Sequence, residues 1–163
     1  MSSQTVSPDL IRSIPLFADL AESHQKIIAD ICSIRPFREN EEIFHEGDPS
    51  DFLYLVLDGR VALEIHIPNR GRSRILTLEP QEMLGWSGIT DVVPRRTLTA
   101  RGVCNGKLLA IDAAKLNQAC AQDHDLGFVI MHHVANVIAG RLMVTRMQLL
   151  DMFSNPSSEA PHG

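Results

Sequence analysis

The hydrophobic pattern of this 163-residue chain changes period twice, and that change limits the fold more than any other feature. Over about residues 8–33, Leu20, His24, Ile27, Ile28 and Ile31 recur at helical spacing, and Asp19-Leu-Ala-Glu22 reads as a helix cap. From 34 to 112 the period drops to two. Val61, Leu63, Ile65 and Ile67 alternate with Ala62, Glu64 and His66, the pattern of a half-buried strand. Phe52 to Leu57 is a continuous apolar run that meets Asp58-Gly59, a pair that signals a short hairpin into Val61. Pro68-Asn-Arg-Gly71 marks a second turn, and Leu108 to Ile111 closes the series.

After Asp112 the helical period returns. Asp112 is placed to cap a short helix through Ala121, and Leu126 to Met152 is the longest helical stretch. Ile130, Val134, Val137, Arg141/Leu142, Val144 and Leu149 lie near an a/d stripe of it, so the helix needs the strands or a second subunit to cover that face. Many short strands, with turn signals at roughly 8–12-residue spacing, favour a barrel or roll over a parallel sheet. The expected fold class is α+β. An antiparallel, jelly-roll-like β-roll of about eight strands is flanked by N-terminal helices and a long C-terminal helix. One domain over 9–152 divides into a helical lead (9–33), the roll (34–112) and C-terminal helices (113–152). The polar, proline-bearing residues 153–163 are expected to be a disordered tail.

A formal charge of −5 argues against a nucleic-acid surface spread over the whole molecule. No uninterrupted apolar window is long enough for a membrane span, and the N-terminus has no signal-peptide pattern. Cys32, Cys104 and Cys120 are odd in number and unclustered, which suits reduced thiols in a cytoplasmic protein.

Residues 84–100 carry the chemistry: Leu-Gly-Trp-Ser-Gly-Ile-Thr-Asp-Val-Val-Pro-Arg-Arg-Thr-Leu-Thr-Ala. A small-residue turn precedes a Pro-Arg step that leads into a strand-like segment. Backbone N–H groups and a guanidinium can together cradle one phosphate. Ile14-Pro-Leu-Phe-Ala-Asp-Leu20, Glu42-Ile-Phe-His-Glu-Gly-Asp48 and Leu53-Tyr-Leu-Val-Leu-Asp-Gly-Arg-Val61 stand ahead of it in a fixed order. Together these segments resemble the cyclic-nucleotide-binding domain of the catabolite-activator/fumarate-regulator superfamily, over about residues 10–152.

The resemblance implies a ligand site at Gly85, Trp86, Ser87, Gly88, Arg95, Arg96 and Thr97. Gly85, Ser87 and Gly88 stand for the family's glycine and small residues, and Thr97 for a small residue after the Pro-Arg step. Arg95 would pair with the cyclic phosphate, and backbone N–H groups near Ser87, Gly88 and Arg96 would complete the cradle. The implied ligand is cyclic AMP, another cyclic nucleotide or a similar anionic small molecule. The implied partner is a second copy, joined in a parallel homodimer through 126–152.

One position departs from the family. Trp86 stands where relatives carry the glutamate that accepts the ribose 2′-hydroxyl, and an indole has no acceptor. Its loss corresponds to about 1.5–3 kcal/mol of binding free energy. Trp86 therefore reads either as a packing residue that shortens the pocket or as a stacking platform.

The competing readings are bland. Arg95 could be a solvated arginine beside a proline turn. His45, His66, His132 and His133 lack metal-ligand spacing, and no nucleophile–base motif appears, so neither a metal nor a catalytic residue is assigned. Arg141 and Arg146 read as solvated or inter-subunit charges rather than DNA contacts. Too few residues follow Met152 for the helix-turn-helix of DNA-binding relatives, so no direct DNA binding is expected. The expectation is a ligand-sensing regulatory domain that is not an enzyme. The alternative is a degenerate domain that binds no nucleotide and serves as a dimerising interaction module.

Overall fold

A computed structural model describes residues 4–154. Two antiparallel sheets form a β-roll, with short helices before it and two helices after it. Strand β1 (Gln4–Thr5) is followed by α1 (Pro8–Ser13), α2 (Pro15–Ala18) and α3 (Glu22–Asp30). The roll comprises β2 (Cys32–Phe37), β3 (Glu42–Phe44), β4 (Phe52–Asp58), β5 (Val61–Ile67), β6 (Gly71–Leu78), β7 (Met83–Leu84), β8 (Thr99–Gly102) and β9 (Gly106–Asp112). Helices α4 (Ala113–Gln122) and α5 (His124–Ser154) complete it. One sheet runs β1-β2-β9-β4-β7 and the other β3-β8-β5-β6. Among the described residues the roll has the expected eight strands, β2 to β9, and the two-residue β1 adds an edge to the first sheet.

The helical lead is shorter and more broken than its periodicity suggests. Prolines open both α1 and α2, where a missing N–H costs nothing. The strand pattern starts at Cys32 rather than 34, since Cys32 already pairs with Ile111 of β9. Asp19 caps no helix start. It closes α2 in right-handed helical geometry, and α3 begins after Ala21 with no side-chain cap. At the other end Asp112 does cap α4, its carboxylate accepting the Lys115 N–H at 2.9 Å.

Burial explains the apolar runs. In β4, Leu53 and Leu55 face the helices while Tyr54 and Val56 face the opposite sheet. In β9, Leu109 and Ile111 face the helices while Leu108 and Ala110 face the sheet. Both strands are thus covered on both faces and need apolar residues throughout. One core lies between the helices and the first sheet, the other between the two sheets.

The Asp58-Gly59 step is a correction. It links β4 to β5, but those strands lie in different sheets, so it turns a corner rather than closing a hairpin. Gly59 takes φ 80°, and a Cβ there would stand 2.6 Å from the Asn105 carbonyl oxygen. The turn predicted at Pro68–Gly71 is present and joins β5 to β6 in a hairpin, with Ile67 opposite Gly71 and Asn69 at φ 66°.

Helix α5 changes character along its length. Leu126, Ile130 and Val134 are buried against the roll and α4. Beyond Arg141 large apolar residues stay exposed, including Leu142, Met143, Met147, Leu150 and Phe153. By length and hydropathy alone α5 could cross a membrane, unlike the sequence expectation. Its first half packs on the roll and α4, and Arg141 and Gln148 bond to the roll. The helix includes residues 153 and 154, expected to be tail; the rest of the tail lies outside the described residues.

Candidate functional site

Gly85 sets the site. It follows β7 in the left-handed region (φ 78°, ψ 22°), which lets the chain reverse into the single 3-10 turn Trp86–Ile89. A Cβ on Gly85 would overlap Arg96 Nη1, and one on Gly88 would overlap the Ser50 carbonyl oxygen. Both glycines are needed because the turn packs tightly on its neighbours. Ser87 is buried, and its Oγ shares a 2.8 Å hydrogen bond with Ser50 Oγ.

The Pro-Arg segment is stitched to a distant loop. Arg95 bridges antiparallel to Pro49, Arg96 N–H donates to Asp48 O at 2.9 Å, and Gly47 N–H donates to Arg96 O at 2.8 Å. In an extended segment adjacent side chains point to opposite faces, so one of the two arginines faces out and the other in. Arg95 is exposed and donates to Gly47 O at 2.8 Å. Arg96 is 4% exposed and lines the cavity beside Gly85, Trp86, Ser87 and Thr97. The structure therefore turns Arg95, the residue expected to hold the phosphate, away from the cavity, and gives the inward place to Arg96. Two of the amides expected in the cradle have partners inside the fold: that of Arg96 on Asp48, and that of Gly88 through a long 3.4 Å bond to Gly85 O.

The Arg96 guanidinium is held but not neutralised. Nη1 donates to Gly85 O at 2.8 Å and Nη2 to Phe52 O at 2.5 Å. Its carbon lies 4.3 Å from the centre of the Phe44 ring, close enough for cation–π attraction. Nε is buried and has no hydrogen-bond partner. Burial pushes the pKa of Arg96 below its ordinary value, while the fields of Tyr54, Asp51 and Asp48 oppose that shift. Arginine nonetheless stays charged, so the cavity wall contains a buried cation.

The cavity measures about 300 Å³. Helix α5 closes one side with Ile138, Arg141, Leu142 and Thr145. Arg141 Nη2 donates to the Met83 carbonyl, and Gln148 Nε2 donates to Ile75 O at 3.0 Å. Arg141 was expected to be solvated or inter-subunit; it instead turns into the roll, and burial pushes its pKa down. Its heptad position on the helix gave no signal of this, because the partner carbonyl belongs to β7. Trp86 lines the cavity and also packs against the helix-side core, so it shapes the pocket and fills part of it. Among the described residues no aspartate or glutamate lines the cavity.

A glycine turn thus faces a buried arginine in a cavity of the β-roll, under a long helix. A model of the cyclic nucleotide-binding domain matches residues 34–123. The chain belongs to that family. It is 30% identical over 117 residues to the CRP-like cAMP-activated global transcriptional regulator of Mycobacterium tuberculosis, covering 71% of this chain and 50% of that one. The chain thus spans half the length of that relative. Among solved structures it resembles the catabolite activator protein of Thermus thermophilus, with TM-score 0.68 and 26% identity over 86% of this chain and 63% of that one. A cyclic nucleotide-binding domain from Methylobacillus flagellatus shares the fold at TM-score 0.77, with 19% identity over 92% of this chain and 88% of the other. As a cyclic nucleotide-binding domain of the Crp/Fnr type, the chain is built for a ligand-sensing regulatory role.

Proposed function

We propose that the cavity binds a cyclic nucleotide or a related phosphate-bearing ligand, and that α5 passes the signal to a second copy of the chain. The observation that carries this reading is Arg96. A buried guanidinium with an unpaired Nε and no ion-pair partner among the described residues favours an anion at the cavity wall. Gly85, Ser87 and Thr97 line the cavity beside it and supply small or hydroxyl-bearing contacts. Arg95 takes no part in the cavity, and Arg96 assumes the role first assigned to it.

The second half of the proposal rests on α5. Its N-terminal half packs on the roll and its middle closes the cavity, while its apolar C-terminal half is exposed. A ligand shifts such a helix only by binding its two arrangements unequally. Engagement of Arg141 with Met83 O turns one of two candidate DNA contacts into the wall of the small-molecule cavity. The free cysteines suit the cytoplasm, and burial pushes the Cys32 thiol up to about 12, which keeps it inert.

Trp86 supports a second reading, that of a dimerising module without a nucleotide, because it occupies space where the sugar would need an acceptor. Isothermal titration with cyclic AMP, cyclic GMP and a cyclic dinucleotide separates the two. Saturable heat with any of them supports the sensor. No heat, together with unchanged thermal stability, supports the module.

A further inference from the structure

Two guanidinium groups line the cavity, and among the described residues no carboxylate does. Arg96 enters from the roll and Arg141 from α5. Neither takes part in any ion pair among the described residues. Glu82 acts on Arg141 only through its field and does not line the cavity.

Their anchors fix the spacing. Arg96 donates to the carbonyl of Gly85 and Arg141 to that of Met83. Those carbonyls are two residues apart along β7 and its turn, which places them within roughly 7 Å of each other. Two buried guanidiniums with no carboxylate beside them are fully neutralised only by two negative charges. A cyclic mononucleotide carries one negative charge, and Trp86 offers its sugar no acceptor.

We propose that this cavity selects a small ligand carrying two anionic groups, one held by Arg96 and the other by Arg141. Dicarboxylates, bisphosphates and cyclic dinucleotides share that chemistry. The inference rests on the cavity being the ligand site and adds its charge selectivity. Because one cation belongs to the roll and the other to α5, a dianion ties the helix to the roll, whereas a monoanion bound at Arg96 leaves the helix contact unused.

The test is thermal shift and isothermal titration of the full chain at constant ionic strength. The probes are the straight-chain dicarboxylates from malonate to adipate, cyclic di-GMP, cyclic AMP and cyclic GMP. Dicarboxylate length acts as a ruler for the gap between the guanidiniums. The expected result is that one dianion binds at least tenfold more tightly than either cyclic mononucleotide. Arg96→Met and Arg141→Met should each weaken it by tenfold or more. Should Arg141→Met fail to fold, Arg141→Lys keeps the charge and loses the fork. It should then weaken dianion binding by at least tenfold more than it weakens cyclic AMP binding. A cyclic mononucleotide that binds best, with affinity indifferent to Arg141, overturns the inference and leaves the site reading intact. A folded chain that binds none of the probes overturns both.

Discussion

Arg95 and Arg96 are indistinguishable as a pair of letters, yet only one faces the cavity. The choice belongs to the pairing of 95–96 with residues 47–49, a contact that local sequence does not reveal. Gly85 was legible, since a turn opened by glycine needs little context; the overlap of any Cβ with Arg96 was not. Gly85→Ala should cost about 1–3 kcal/mol in urea unfolding, because it combines a positive φ with displacement of the Arg96 guanidinium. On the proposed reading of the site, Trp86 is the residue that selects against an ordinary ribonucleotide. Trp86→Glu supplies an acceptor for a sugar hydroxyl, so cyclic AMP affinity measured by titration should rise by about tenfold to a hundredfold.

Asp123 joins α4 to α5 and caps the latter, its carboxylate accepting N–H bonds from Asp125 and Leu126 at 3.1 Å each. It also pairs with His24 at 2.7 Å, which ties the helix start to α3. The Leu126 N–H first, and His24 next, hold the Asp123 carboxyl below its usual range. A carboxylate with a depressed folded pKa stabilises above its unfolded value of about 3.9, and that stabilisation is lost as pH falls through the folded pKa. Asp123→Ala should therefore lower Tm by a few degrees at pH 6, and the gap to the wild type should close on acidification below about pH 4. At this scale the sequence was most readable where periodicity alone decides. The period-two stretch, the Asp112 cap and the Pro68–Gly71 turn followed from local chemistry. Asp58-Gly59 misled because turn chemistry says that the chain reverses, not which sheet receives the next strand. The lead misled because its prolines begin new helices and Cys32 is already claimed by β9.

The whole molecule leaves an apolar half-helix exposed, with Met147 61% and Leu150 54% accessible. Exposed apolar surface of that kind marks a binding face, and a second copy of the same helix offers a self-complementary partner. Light scattering should show a dimer, and Met147→Lys with Leu150→Lys should shift it to monomer while far-UV circular dichroism keeps the wild-type helix signal. The order of helix, roll and helix was visible in the sequence because each segment advertises its own period. The closure of the cavity by Arg141 was not, because it joins residues 58 positions apart in the chain. The central claim is that the buried Arg96, not the exposed Arg95, holds the ligand anion. It is tested most directly by titrating wild type, Arg95→Gln and Arg96→Gln with the same panel of cyclic nucleotides, cyclic dinucleotide and dicarboxylates. Binding that survives Arg95→Gln within about threefold but falls by about tenfold to a hundredfold in Arg96→Gln is the expected result. Equal affinity in the wild type and Arg96→Gln, or a loss confined to Arg95→Gln, contradicts it.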